Sequence, residues 1–205
     1  MLLGLDFDNT IVCYDQVFHL VASERGLVDN TIPQSKLAVR DHLRAIDRED
    51  DWTELQGYVY GRRMDDAQPY PGAIEVIRWA RRSANLKLCI VSHKTQHPFM
   101  GPKYDLHQAA REWIAGKLTD ELGPLVEKDD VHFCATKDSK VERIAELACD
   151  VFVDDLPEIF ALEHFPESTG QVLFDPDQHH GGFDAAHKVR AWSQLRSHLA
   201  TLIRA

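Results

Sequence analysis

Asp6 and Asp8 stand two residues apart directly after the apolar run Met1-Leu2-Leu3-Gly4-Leu5. Residues i and i+2 of an extended strand point to the same side, so both carboxylates face one spot just beyond the carboxyl edge of a sheet. That edge is where open α/β sheets bind ligands. Two carboxylates about 4 Å apart repel by roughly 4 kcal/mol at an effective dielectric of about 20, so the arrangement calls for a cation or a shared proton. A hard, oxygen-preferring ion such as Mg²⁺ answers it.

Three later segments carry chemistry of the same kind. Ser92, in Val91-Ser92-His93-Lys94-Thr95, puts a hydroxyl at a second strand end, where it either binds an oxyanion or caps a turn. Lys137-Asp138-Ser139-Lys140 leads into a helical pattern, Val141 to Ala148. A lysine at a helix start opposes the macrodipole, and a bound anion would justify it as readily as plain solvation. Asp154 and Asp155 follow the apolar Val151-Phe152-Val153 and either join the first carboxylate pair or cap the Leu156-Pro157-Glu158 segment. Four carboxylates on one edge would be self-defeating without a cation.

These residues need a parallel sheet to bring them together. Strand-like runs at Leu2 to Phe7, Leu86 to Val91, Val131 to Ala135, Val151 to Val153 and Gln171 to Phe174 alternate with helical stripes. The stripes are Ala73, Ile77 and Ala80; Leu106, Ala110, Trp113, Ile114 and Leu118; Val141, Ile144 and Ala148; and Val189, Trp192, Leu195, Leu199 and Leu202. Between the first strand and Tyr70-Pro71-Gly72 lie roughly 60 residues, where a βα connection usually takes about 2 to 6. Val39, Leu43 and Ile46, then Trp52, Leu55 and Val59, have helical spacing within it. The expected organisation is a core of residues 1–13 and 70–205 and a small helical cap of residues 14–69, whose lid-like position would exclude water and set specificity.

With 205 residues, 44% apolar and 27% charged, the composition is that of an ordinary globule, and no apolar run approaches a membrane span. A net charge of −10 without a basic run disfavours a nucleic-acid polymer or an anionic membrane as partner. Cys13, Cys89, Cys134 and Cys149 lie far apart in sequence and read as reduced thiols. The first strand begins at Met1, which leaves no room for a leader and points to the cytoplasm.

The order Asp-x-Asp-x-Thr at Asp6 to Thr10, Ser92, Lys140, then Asp154-Asp155 resembles the haloacid dehalogenase (HAD) superfamily across nearly the whole chain. The resemblance implies an α/β, Rossmann-like three-layer fold with a parallel sheet of strand order 3-2-1-4-5 and a helical cap inserted after the first strand. It implies Asp6 as nucleophile and Asp8 as general acid and base, and Ser92 with one lysine, Lys140 ahead of Lys137, on the phosphoryl oxygens. Thr10 would orient Asp8 within the same phosphate-binding group. Mg²⁺ would be held by Asp6, the Asp8 carbonyl and the last pair, Asp155 as ligand and Asp154 as helper. A carboxylate at position 8 favours phosphate over dehalogenase chemistry. The implied activity is a Mg²⁺-dependent phosphatase acting on a small phosphomonoester, with a phosphotransferase or a catalytically silent binding module as alternatives. The Pro71-Gly72 entry, the short interval from Lys140 to Asp154 and the long Gln96 to Tyr104 connection are similar to the small 5'-deoxyribonucleotidases, which makes a nucleoside monophosphate one candidate substrate and a sugar phosphate another.

Overall fold

A computed structural model of the chain describes residues 1–184 and 187–204. The core is a parallel sheet of six strands: β1 (Leu2–Leu5), β2 (Lys87–His93), β3 (Val131–Cys134), β4 (Val151–Asp154), β5 (Gly170–Phe174) and β6 (His187–Val189). Their order is β3-β2-β1-β4-β5-β6, with helices on both sides of the sheet. The expected five strands are present in the expected order, and β6 extends the sheet by one, pairing with β5 from His187↔Val172 to Val189↔Phe174. The central strands read as unbroken apolar runs because both faces are covered: Leu88 to Val91 of β2 and Val151 to Asp154 of β4 are all buried.

Register places the strand ends together. Leu5 of β1 lies opposite Ile90 of β2 and Val153 of β4, and the Asp6 amide donates to the Val153 carbonyl at 2.9 Å. The residues that follow each strand therefore emerge side by side at the carboxyl edge. β2 runs two residues beyond its expected end, so Ser92 and His93 still belong to the ladder, opposite Phe133 and Cys134 of β3.

Helices α4 (Ala73–Arg82), α6 (Lys137–Glu146) and α8 (Trp192–Arg204) flank this sheet, together with the single turn α7 (Pro157–Phe160). Ala73, Ile77 and Ala80 are buried, as the 3.6-residue stripe predicts, and so are Trp192, Leu195 and Leu199. Two members of the stripe predicted for the last helix fall outside that helix or the core. Val189 is buried in β6, before α8 begins, and Leu202 is 40% exposed near the end of α8. Helix α6 starts at Lys137, four residues before the predicted apolar stripe, because Thr136 and Ser139 form a reciprocal capping box. Ala148 lies past its end in the left-handed region at φ 52°.

The chain divides into two compact units, Met1–Ile11 with Pro69–Lys94 and Lys117–Ala205, and Val12–Gln68 with Thr95–Gly116. The second unit holds α1 (Asp15–Glu24), α2 (Lys36–Ala45), α3 (Glu49–Arg62) and nearly all of α5 (Leu106–Lys117). Phe18, Val39, Leu43, Trp52, Leu55 and Val59 form its core, with the Phe18 and Trp52 rings 5.0 Å apart. Ile46, expected on the same stripe as Val39 and Leu43, follows the last turn of α2 and is 48% exposed.

Residues 95–116, which the sequence assigns to the core domain, group instead with the inserted helices. Gly57 of α3 leaves space that Pro98 fills, where a Cβ would come within 2.6 Å of the proline. The Tyr58 and Tyr104 rings meet edge to face at 6.2 Å, and the Trp113 indole donates to the Ala67 carbonyl at 2.9 Å. Among the described residues no helix is long and apolar enough to cross a membrane. The four cysteines are free thiols, and the fold brings the Cys89 and Cys149 sulfurs, 60 residues apart in sequence, to 3.8 Å.

Candidate active site

Every residue of the expected site belongs to the unit built on the sheet. Asp6 leaves the end of β1 and is 4% exposed. One oxygen, Oδ1, accepts from the Ser92 hydroxyl at 3.0 Å and from the Lys140 ammonium at 2.5 Å. Lys140 also pairs with Asp154 Oδ2 at 2.6 Å, while Asp154 Oδ1 accepts the Leu156 amide at 3.0 Å. Lys140 and Asp154 are both essentially without solvent exposure. A lysine is almost never buried unless paired, and here the fourth residue of α6 carries its ammonium between carboxylates from two neighbouring strands.

The electrostatics follow from that arrangement. Burial pushes the Asp154 carboxyl up to about 7, with Lys140 pulling it down and the Asp6 charge pushing it further up. Burial alone would lower the Lys140 pKa, but Asp154 and Asp6 outweigh it and hold the ammonium above its ordinary value. Burial lowers the His93 pKa, and the Lys140 and Lys137 charges lower it further, outweighing the Ala135 carbonyl, 3.2 Å from Nε2, and the Asp6 charge. Of the two lysines weighed from sequence, Lys137 turns outward and pairs with exposed Glu158 at 3.0 Å.

The turn after β1 sets the next two residues apart. Asn9 occupies the left-handed region at φ 57°, a conformation that asparagine tolerates better than most residues, and the Ile11 amide closes the turn onto the Phe7 carbonyl at 3.1 Å. Thr10 is thereby carried into the interior, fully buried, with its Oγ1 making no hydrogen bond and its carbonyl accepting from the Trp192 indole at 3.1 Å. The hydrogen bond from Thr10 to Asp8 expected from sequence is thus not formed in this structure. Asp8 is held by Lys94 instead, whose ammonium lies 2.8 Å from Oδ2 and 3.1 Å from Oδ1. From sequence, His93 and Lys94 read either as positive charge beside Ser92 or as a solvated loop pair. The signal for Lys94 was the two-residue period, which carries the side of β2 that bears Ser92 on to Lys94.

The same edge fits a divalent cation. Asp6, Asp154 and Asp155 each offer a carboxylate oxygen, all within 4.8 Å of one another. Asp6 and Asp154 share the Lys140 ammonium, and Asp8 pairs with Lys94. An all-oxygen donor set suits Mg²⁺ better than a soft metal.

No protein-family model and no curated relative matches the chain. Solved structures do. A haloacid dehalogenase-like family hydrolase from Streptococcus pneumoniae matches with a TM-score of 0.63 at 11% identity, over 97% of each chain. A HAD family hydrolase from Deinococcus radiodurans, with bound phosphate and sodium, gives 0.61 at 16% identity, over 97% of this chain and 94% of that one. The HAD hydrolase YfnB of Bacillus subtilis, bound to magnesium, gives 0.60 at 15% identity, over 97% of each.

The chain has the HAD fold. At these identities the likeness is one of HAD architecture, and it extends over both units of the chain. Within that architecture Asp6, Ser92, Lys140 and Asp154 form one connected cluster, Asp155 adjoins it through its carboxylate, and Asp8 stands two residues away on Lys94.

Proposed function

We propose that the protein is a Mg²⁺-dependent hydrolase of small phosphomonoesters that works through a phosphorylated Asp6. The observation that carries this reading is the Lys140 ammonium, buried between Asp6 and Asp154 at 2.5 and 2.6 Å. A cation fixed there holds and aims a strand-end carboxylate, which is what a carboxylate nucleophile needs.

In the first step an Asp6 oxygen attacks phosphorus, the bond to the leaving oxygen breaks, and Asp8 supplies a proton to that oxygen. In the second, the Asp8 carboxylate takes a proton from water as the water oxygen attacks the same phosphorus. The bond to Asp6 breaks, and inorganic phosphate leaves with both aspartates restored. Ser92 and Lys140, which share Asp6 Oδ1 in the resting site, are the donors within reach of a phosphoryl group attached to Asp6. Asp6, Asp154, Asp155 and the Asp8 carbonyl would hold Mg²⁺, which supplies charge neutralisation to the transferring group. The neighbours with bound phosphate and bound magnesium support the choice of ligands by analogy of fold.

The test is phosphate release from nucleoside monophosphates, sugar phosphates and p-nitrophenyl phosphate, with Mg²⁺ or with EDTA, against Asp6→Asn as control. Release that requires Mg²⁺ and vanishes in Asp6→Asn is the expected result, and the best substrate names the class. Full activity in Asp6→Asn would overturn the nucleophile assignment. Transfer to an added alcohol in place of water would identify a phosphotransferase.

A further inference from the structure

Lys94 is the second buried lysine of the carboxyl edge, and none of the chemistry above uses it. Its side chain is 3% exposed, and its ammonium lies within 3.1 Å of both oxygens of Asp8. The backbone is tied down as well, since the Lys94 amide donates to the Cys134 carbonyl at 2.9 Å, immediately past the β2–β3 ladder. The ammonium also lies 5.8 Å from the centroid of the Phe7 ring, which meets the Phe133 ring edge to face at 6.2 Å. A flexible four-carbon stem is thus fixed at its base beside the sheet, and its head, near the Phe7 ring, grips one carboxylate.

We infer that Lys94 is a positioning residue for Asp8, setting the direction from which that carboxylate reaches the leaving oxygen of the substrate. The inference rests on the proposed role of Asp8 as proton donor and acceptor. Asp8 lies immediately before the left-handed residue Asn9, and the Lys94 ammonium, in contact with both carboxylate oxygens, fixes the direction in which its side chain points. Lys94 acts through Asp8, whereas Ser92 and Lys140 act at Asp6, so the two lysines divide the edge: one serves the nucleophile, the other the acid and base.

The test is a double-mutant cycle of Lys94→Met and Asp8→Asn, read as kcat and KM on an alkyl phosphate and on p-nitrophenyl phosphate, whose leaving group needs no proton. Lys94→Met is expected to lower kcat on the alkyl ester about 100-fold with little change in KM, and to cost less on p-nitrophenyl phosphate, where only the water-activating step needs Asp8, following the pattern of Asp8→Asn. The double variant is expected within about 3-fold of Asp8→Asn alone. That comparison stands even if Lys94→Met fails to fold, because the double variant leaves no unpaired charge. A further loss of 10-fold or more in the double variant, or a rise in KM equal on both substrates, would mean that Lys94 contacts substrate directly and would overturn the inference while leaving the phosphatase reading intact. No Asp6-dependent release from the wild type would remove both.

Discussion

Replacing Lys140 by methionine is the sharpest single perturbation of the site. At an effective dielectric of about 20, ion pairs of 2.5 and 2.6 Å are each worth roughly 6 to 7 kcal/mol before desolvation, which takes back several kcal/mol per ion. Methionine fills a similar volume but leaves Asp6 and Asp154 buried without their cation, and breaking a buried pair in this way costs about 3–5 kcal/mol. For a chain of this size each kcal/mol moves the midpoint by about 2–4 °C, so Tm should fall by about 6–20 °C in EDTA. The fall should depend on pH. The Asp154 carboxyl, raised to about 7 from 3.8 by burial, is protonated more readily in the folded than in the unfolded state. Its contribution therefore favours folding at low pH, declines as pH rises from 3.8 to about 7, and is constant above that. Without the pull of Lys140 the folded pKa moves higher and the decline continues, so the deficit of the variant is wider at pH 8 than at pH 5.5. Thermal unfolding followed by circular dichroism at both pH values measures this. A fall below about 2 °C at pH 8, or a deficit larger at pH 5.5, would refute the claim that Lys140 neutralises buried carboxylates.

Two further substitutions probe the scaffold around the site. Thr10→Val exchanges a buried hydroxyl without a partner for a methyl group of the same shape, so stability should hold or rise by about 1 kcal/mol, with phosphate release unchanged; a large loss of activity at unchanged Tm would restore Thr10 to the site. Gly4→Ala puts a Cβ within 2.5 Å of the Phe152 ring and 2.9 Å of the Cys149 sulfur, and overpacking of that kind should cost about 1–3 kcal/mol in a urea titration, a result that an unchanged midpoint would contradict.

The parts legible from sequence were those whose signal is repeated. β1, β2 and β4 are apolar runs ending in Asp, Ser and Asp, and α4 and α8 carry stripes in which each residue reinforces the next. β6 carried no such signal, because its three residues include an exposed histidine and a half-buried lysine, and its one buried residue, Val189, continues the helical spacing of Trp192 and Leu195 until β5 is there to pair with it. The start of α6 was hidden for a different reason: its first turn is polar throughout and is specified by the Thr136 and Ser139 cap, not by an apolar face. Among the site residues, Asp6, Ser92, Lys140 and the last aspartate pair follow from order along the chain, whereas Lys94 and Thr10 depend on how a turn disposes side chains that sequence leaves free. Grouping of residues 95–116 with the inserted helices depends on the fit of Pro98 against Gly57, which no local pattern announces.

The order in which the sheet is written into the chain constrains its synthesis. β1 lies at the centre of the sheet, yet its partners arrive late: Leu2 pairs with Lys87, and Leu3 pairs with Val151. At about 5–20 residues per second, a ribosome needs roughly 4–17 s to deliver the first of these neighbours. Throughout that interval the apolar Leu2–Leu5 strand is a sheet interior with two open edges, a template for pairing with any other chain nearby. The carboxylates that follow it stay apart from their lysines until β2 and α6 have been delivered, so the chain acquires its reactive centre only after this exposed stage has passed.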